Sequence, residues 1–297
     1  MEFKGQNILS TDQFDKESME RLFSRTREME EKAGADVMKG KVLATLFFEP
    51  STRTRFSFEA AFLKLGGGVV SGADMMTTSS VKKRETLQDT GATVSRYADL
   101  IAMRHPEIGS VAEFAKGSRV PVINAGDGAN QHPTQALLDV YTMWKEWNGE
   151  LDGKTVVLVG DLKNGRVPHS QCDLLRHWKV KFVFISPIAL QMPGEIANGL
   201  KKAGFEVLET ESLEEGIEGA DAICSTRIQE ERFSSKEAAA KFAGVYVIDS
   251  AVMSKVKEDA ILMHPLPRVD EIAKEVDDDP RVRYFDQVEN GLFVRMA

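Results

Sequence analysis

Arginines and hydroxyl residues alternate in FFEPSTRTRFSFE (47–59), where an apolar run hands over to helix-forming residues. Ser51, Thr52, Arg53 and Thr54 would stand at the N-terminus of that helix. About four backbone N–H groups lack partners there, and the helix dipole favours an anion. Hydroxyl donors and a guanidinium turn such an end into a phosphate cradle. A Ser/Thr cap with exposed arginines is the other reading of the same residues, and Arg55 fits a purely structural role. Further candidates are Arg104 in DLIAMRH (99–105), His132 and Gln135 in DGANQHPTQALLD (127–139), and Arg166 in GDLKNGRVPHS (160–170). Arg227 and Gln229 stand in TRIQEERF (226–233), and Leu266 and Pro267 in HPLPRVDEI (264–272). Guanidinium pairs bidentately with carboxylate or phosphate, so the chemistry on offer is the grip of polyanions.

The elements that must position these residues alternate. Continuous apolar runs of strand length lie at 41–48, 99–105, 120–126, 154–161, 180–186, 221–226, 245–250 and 260–266. Such runs suit strands covered on both faces. Helical spacing marks 17–33, 85–98, 132–148 and 194–204 between them. The βαβ rhythm implies parallel sheets flanked by helices. One sheet of so many strands would be large, so two α/β lobes are expected. The helix at 132–148 is the natural connector, and Gly and Asp in WNGELDGK (147–154) signal a turn before the second sheet. The acidic EVDDDP (275–280) reads as a solvated loop.

Ligands of open α/β sheets bind outside the carboxyl ends of the strands. Nearly every predicted strand end here delivers Arg, His or Gln, whereas the entering connections KAG (202–204) and EGA (218–220) hold little chemistry. The expected site is therefore a cleft between the lobes that binds polyanions. A length of 297 residues agrees with about two domains. The net charge of −8 argues against a nucleic-acid or anionic-membrane binder. Cys172 and Cys224 make no disulfide framework and no metal spacing, and read as reduced buried thiols. With no apolar signal core and no membrane-length apolar run, a cytoplasmic protein is expected. LVGDLKNG (158–165) lacks the GxGxxG spacing of a dinucleotide site.

These motifs, in this order, resemble the aspartate and ornithine carbamoyltransferase family. STRT (51–54) is similar to its phosphate motif, and HPTQ (132–135) to its own HPTQ segment. GDLKNGR, TRIQEERF and HPLPRVDEI look like the aspartate branch, because the ornithine branch shows HCLP and SMG signatures absent here. The resemblance runs from about residue 5 to the C-terminus. It implies domains at 1–131 for carbamoyl phosphate and 132–283 for aspartate, with 284–297 packing back on the first. It implies carbamoyl transfer from carbamoyl phosphate to the α-amine of L-aspartate, the entry to pyrimidine synthesis, with neither metal nor cofactor. Carried over, Ser51, Thr52, Arg53 and Thr54 hold the phosphate. Thr54, Arg104 and His132 face the carbamoyl oxygen, with the protonation of His132 open, and Gln135 faces the amide. Arg166, Arg227 and Gln229 take the aspartate, while Leu266 and Pro267 offer carbonyls and a wall near the amine. Ser79 and Lys83, in TSSVKKRETLQD (78–89), enter the neighbouring subunit's site, which implies a homotrimer. A separate regulatory chain or fused pathway enzymes are further partners the family allows.

Three departures are visible. GRVPHS (165–170) replaces the usual GRTVHS, so Val167 lacks a hydroxyl, and Pro168 bears on the placing of Arg166. Arg84 stands where the family commonly has Gly. The segment NGLFVRMA (290–297) ends where the family continues a longer helix. Two other readings stay open: a carbamoyltransferase for another amino acid such as ornithine, and a non-catalytic homologue acting as a partner subunit.

Overall fold

Strands buried on both faces have no polar side to alternate, which is why their apolar runs are continuous. A computed structural model describes residues 3–31 and 36–297. The chain divides into two units, Met1–Leu138 with Glu289–Ala297, and Asp139–Val288. The division falls inside two helices, Pro133–Glu146 and Tyr284–Met296.

Among the described residues, the first unit holds strands β1 (Val42–Phe47), β2 (Gly68–Ala73), β3 (Leu100–His105) and β4 (Val122–Asp127). They form one parallel sheet in the order β2-β1-β3-β4. Helix Thr52–Lys64 lays Phe58 and Phe62 against Leu43 and Phe47 of β1. Each such ring buried contributes about 1.5–3 kcal/mol. Across the sheet, Met103, Val111 and Phe114 fill a second cluster. Helices Leu87–Val94 and Ser110–Gly117 meet backbone to backbone, because a side chain on Gly91 or Gly117 would strike the opposing carbonyl. Arg295, near the C-terminus, donates to Ser57 Oγ at 2.9 Å and lies 4.9 Å from the centre of the Phe58 ring.

The second unit holds β5 (Thr155–Gly160), β6 (Lys181–Ile185), β7 (Val207–Thr210), β8 (Ala222–Thr226) and β9 (Ile261–Met263), parallel in the order β7-β6-β5-β8-β9. Its core gathers Val157, Ile185, Ile223, Leu262 and Tyr284.

Several expectations need correcting. The run at 245–250 forms no strand. Ile248 makes a single bridge to Ile272, and Asp249 then caps the short helix Ser250–Met253 by accepting from Val252 N at 2.8 Å. The run at 260–266 yields only three strand residues before His264 turns the chain. EVDDDP is no plain solvated loop: Val276 is buried, and Asp277 pairs with Arg268 and Tyr284. The hydrogen bonds from Arg268 hold the Asp277 carboxyl down to about 2. Helix 17–33 is observed as Lys16–Glu31, and residues 32 and 33 lie outside the described residues.

Candidate active site

In the first unit the register brings the carboxyl ends of three strands together. Phe47 pairs with Arg104, and His105 with Asp127. The segments leaving β1, β3 and β4 therefore emerge at one edge. After β1, Ser51 precedes helix Thr52–Lys64 in extended backbone, and its side chain makes no capping hydrogen bond. Thr52 and Arg53 are exposed, and Thr54 is buried. Arg55 turns to its own helix, 3.8 Å from Glu59, whose carboxylate accepts from Thr45 at 2.8 Å and Ser71 at 2.6 Å. The structural reading of Arg55 fits that geometry.

Arg104, at the end of β3, donates through Nε to Glu49 at 2.9 Å. A second guanidinium nitrogen lies at the same distance from that carboxylate. Glu49 thus fixes the plane of the arginine fork. His105 is buried against Phe48, with ring centres 4.8 Å apart, and accepts from Glu107 N at 3.1 Å. Burial pushes its pKa below the usual imidazole value.

After β4 the chain turns around Asp127. Its carboxylate accepts from Gly109 N at 3.1 Å, Asn124 Nδ2 at 3.2 Å, Asn130 Nδ2 at 3.1 Å and Gln131 N at 2.9 Å. That turn sets the start of helix Pro133–Glu146. His132 is buried just before it, and its carbonyl accepts from Gln135 N at 3.0 Å. Gln135 is half-buried one turn on.

Ser79 links helix Met75–Thr78 to a 3-10 turn, Ser80–Lys83, and donates to Met75 O at 2.5 Å. Lys83 is exposed. Arg84, next in the chain, has φ +69°, in the left-handed region that favours glycine.

In the second unit Gly160 pairs with Thr226, so the segments after β5 and β8 share an edge. Buried Asp161 ties them by accepting from Asn164 N at 3.0 Å and Gln229 N at 3.1 Å. Arg166 opens helix Arg166–Leu175 after Gly165, half-buried, with Val167 next. Pro168 sits in the first turn, where its missing N–H costs nothing. Arg227 donates to both oxygens of Glu231, at 2.9 and 2.5 Å. Burial pushes Glu231 up, but hydrogen bonds led by Arg227 more than offset it and leave its pKa lowered. Gln229 Nε2 donates to Arg227 O at 3.2 Å. Leu266 is half-buried after β9, Pro267 is exposed, and the peptide between them is cis. Cys172 and Cys224 are buried, and burial pushes both thiols up, so neither is a ready nucleophile. No group of three or more His, Cys, Asp or Glu among the described residues is placed to hold a metal ion.

Sequence reasoning missed Glu49, Asp127 and Asp161. Each is a lone carboxylate at a strand exit, beside turn-forming residues, and that was the available signal.

Two parallel α/β units thus carry basic and amide side chains at their strand exits, a chemistry suited to anionic substrates. The carbamoyl-P binding domain of aspartate/ornithine carbamoyltransferase matches residues 6–145, and the Asp/Orn binding domain matches 152–297. The aspartate carbamoyltransferase catalytic subunit of Thermococcus kodakarensis is 47% identical, over 100% of this chain and 96% of its own. Multifunctional protein pyr1-3 of Dictyostelium discoideum is 45% identical over 99% of this chain, which spans only 13% of that protein. A crystal structure of aspartate transcarbamoylase from Trypanosoma cruzi with carbamoyl phosphate and aspartate superposes with a TM-score of 0.91. It is 40% identical and covers 99% of this chain and 95% of its own. The chain belongs to the aspartate/ornithine carbamoyltransferase family.

Proposed function

We propose that this chain transfers the carbamoyl group of carbamoyl phosphate to the α-amine of L-aspartate, giving N-carbamoyl-L-aspartate and phosphate. The observation that carries the reading is the common edge of β1, β3 and β4, from which Thr54, Arg104, His132 and Gln135 emerge. Ser51, Thr52, Arg53 and Thr54 hold the phosphate at a helix N-terminus. Thr54, Arg104 and His132 donate to the carbamoyl oxygen, and Gln135 binds the carbamoyl amide. Arg166 and Arg227 take the two carboxylates of aspartate, with Gln229 beside them and the Leu266 carbonyl and Pro267 near the amine.

The neutral amine nitrogen attacks the carbamoyl carbon, a C–N bond forms, and negative charge gathers on the oxygen. Donors already aimed at that charge are the largest catalytic contribution, each about 100- to 1000-fold in rate. Glu49 supports this by keeping the Arg104 fork in one plane. The C–O bond to phosphate then breaks, and the departing phosphate keeps the electron pair and accepts the amine proton. The reaction opens pyrimidine synthesis. The same reading places the protein in the cytoplasm as a homotrimer in which Ser79 and Lys83 serve the neighbouring chain's site. A regulatory chain or fused pathway enzymes are compatible with it.

The test is titration with a bisubstrate analogue joining a phosphonate to aspartate, alongside assays with a panel of amino acids. One analogue should bind per chain, displace both substrates, and lose affinity in Arg53→Ala. Carbamoylation of ornithine instead of aspartate, or of no amino acid at all, would overturn the reading.

A further inference from the structure

Beyond β9 the chain folds over a histidine and a carboxylate that the mechanism does not use. His264 is 2% exposed and Glu271 7%. His264 Nδ1 accepts from Leu266 N at 2.8 Å, and its Nε2 lies 2.6 Å from Glu271 Oε1. A ring nitrogen that accepts a backbone N–H carries no proton, so Nε2 holds the proton and donates to Glu271. The other Glu271 oxygen accepts from Val269 N at 3.0 Å and Asp270 N at 3.1 Å. Burial pushes Glu271 up, yet the hydrogen bonds led by His264 leave its pKa lowered.

The pair is itself anchored. His264 N donates to Gln287 Oε1 at 3.0 Å, and the Gln287 amide donates to Asp139. Asp139 also accepts from Gln171 Nε2 at 2.7 Å. A buried polar chain of this kind is costly unless every member is satisfied, and once satisfied it enforces a single geometry. Apolar side chains would fill the same volume without fixing any backbone N–H. What the histidine and glutamate fix is the course of residues 265–270.

We propose that His264 and Glu271 form a positioning pair that sets this segment and so holds the Leu266 carbonyl where the amine substrate is received. The proposal rests on the reading of Leu266 as an aspartate contact. His264 touches no substrate and acts through Leu266.

Two isosteric variants separate positioning from simple stability. His264→Asn keeps an acceptor near the Nδ1 position and loses the reach to Glu271. His264→Gln keeps a donor near Nε2 and loses the acceptor for Leu266 N. In the full-length enzyme, His264→Gln should raise KM for L-aspartate about 10-fold, the loss expected for one hydrogen bond. Carbamoyl phosphate binding should stay unchanged, and His264→Asn should keep KM within about threefold of wild type. Folded variants that both keep the wild-type KM overturn the proposal. So does an equal rise in both, in step with their loss of Tm, which marks a merely structural pair. Should His264→Gln not fold, Glu271→Gln gives the same readout, because it removes the second carboxylate oxygen that accepts from Val269 N and Asp270 N, which His264→Asn leaves in place. An unchanged KM there overturns the proposal too. A wild-type protein without carbamoyltransferase activity would instead sink the functional reading beneath it.

Discussion

Val167 is the second residue of helix Arg166–Leu175, half-buried beside the arginine assigned to an aspartate carboxylate. The motif it resembles carries threonine there, and valine keeps the shape while removing the hydroxyl. A neutral hydrogen bond contributes about 0.5–1.5 kcal/mol net. Val167→Thr should therefore lower KM for L-aspartate about 3- to 10-fold and leave carbamoyl phosphate binding unaltered, as initial-rate kinetics would show. An unaltered KM would mean that the residue points away from the substrate. Residues of this sort were legible because guanidinium, imidazole and amide groups at strand exits announce their chemistry. Asp127 and Asp161 were not legible in the same way. Both work by accepting N–H groups from the turns around them, and such acceptors look in sequence like ordinary loop carboxylates.

Arg84 raises a question that belongs to its element, the turn Ser80–Lys83 and the residue that ends it. At φ +69° an L-residue pays about 1–2 kcal/mol that glycine does not. Glycine gives back roughly 0.5–1 kcal/mol through its freer unfolded chain. Arg84→Gly should thus exceed Arg84→Ala in unfolding free energy by up to about 1.5 kcal/mol, read from denaturant midpoints. Equal midpoints would show that the segment does not hold this conformation in solution. The same contrast between local pattern and tertiary setting explains which elements could be read. The interior strands β1, β3, β5, β6 and β8 were plain, being largely apolar and buried along most of their length. The edge strands β2 and β7 were not, since GVVSGA and VLET are largely exposed or half-buried and carry glycine or charge. The run at 245–250 misled for the opposite reason: it is apolar, but its backbone pairs only through Ile248.

At the scale of the molecule, the assignment of Ser79 and Lys83 to a neighbouring site is the claim that makes assembly part of catalysis. Nothing in a single chain spells this out, since an exposed lysine on a short turn looks like any solvated side chain. On the proposed shared site, Arg53→Ala would remove a guanidinium from a chain's own phosphate cradle, and Lys83→Ala would remove an ammonium lent to its neighbour. Each homotrimer alone should be nearly inactive. When the two are denatured together in equal amounts and refolded, a site is whole only if its own chain keeps Arg53 and its donor keeps Lys83. Random assortment in a cyclic trimer makes about a quarter of the sites whole, so activity should recover to about that fraction of wild type. The rescue should vanish when the same chains are mixed without unfolding, because closed trimers exchange no subunits. Activity that stays at the level of the parent variants after joint refolding, in trimers shown by mass to be mixed, would mean that Lys83 serves its own chain or no site at all.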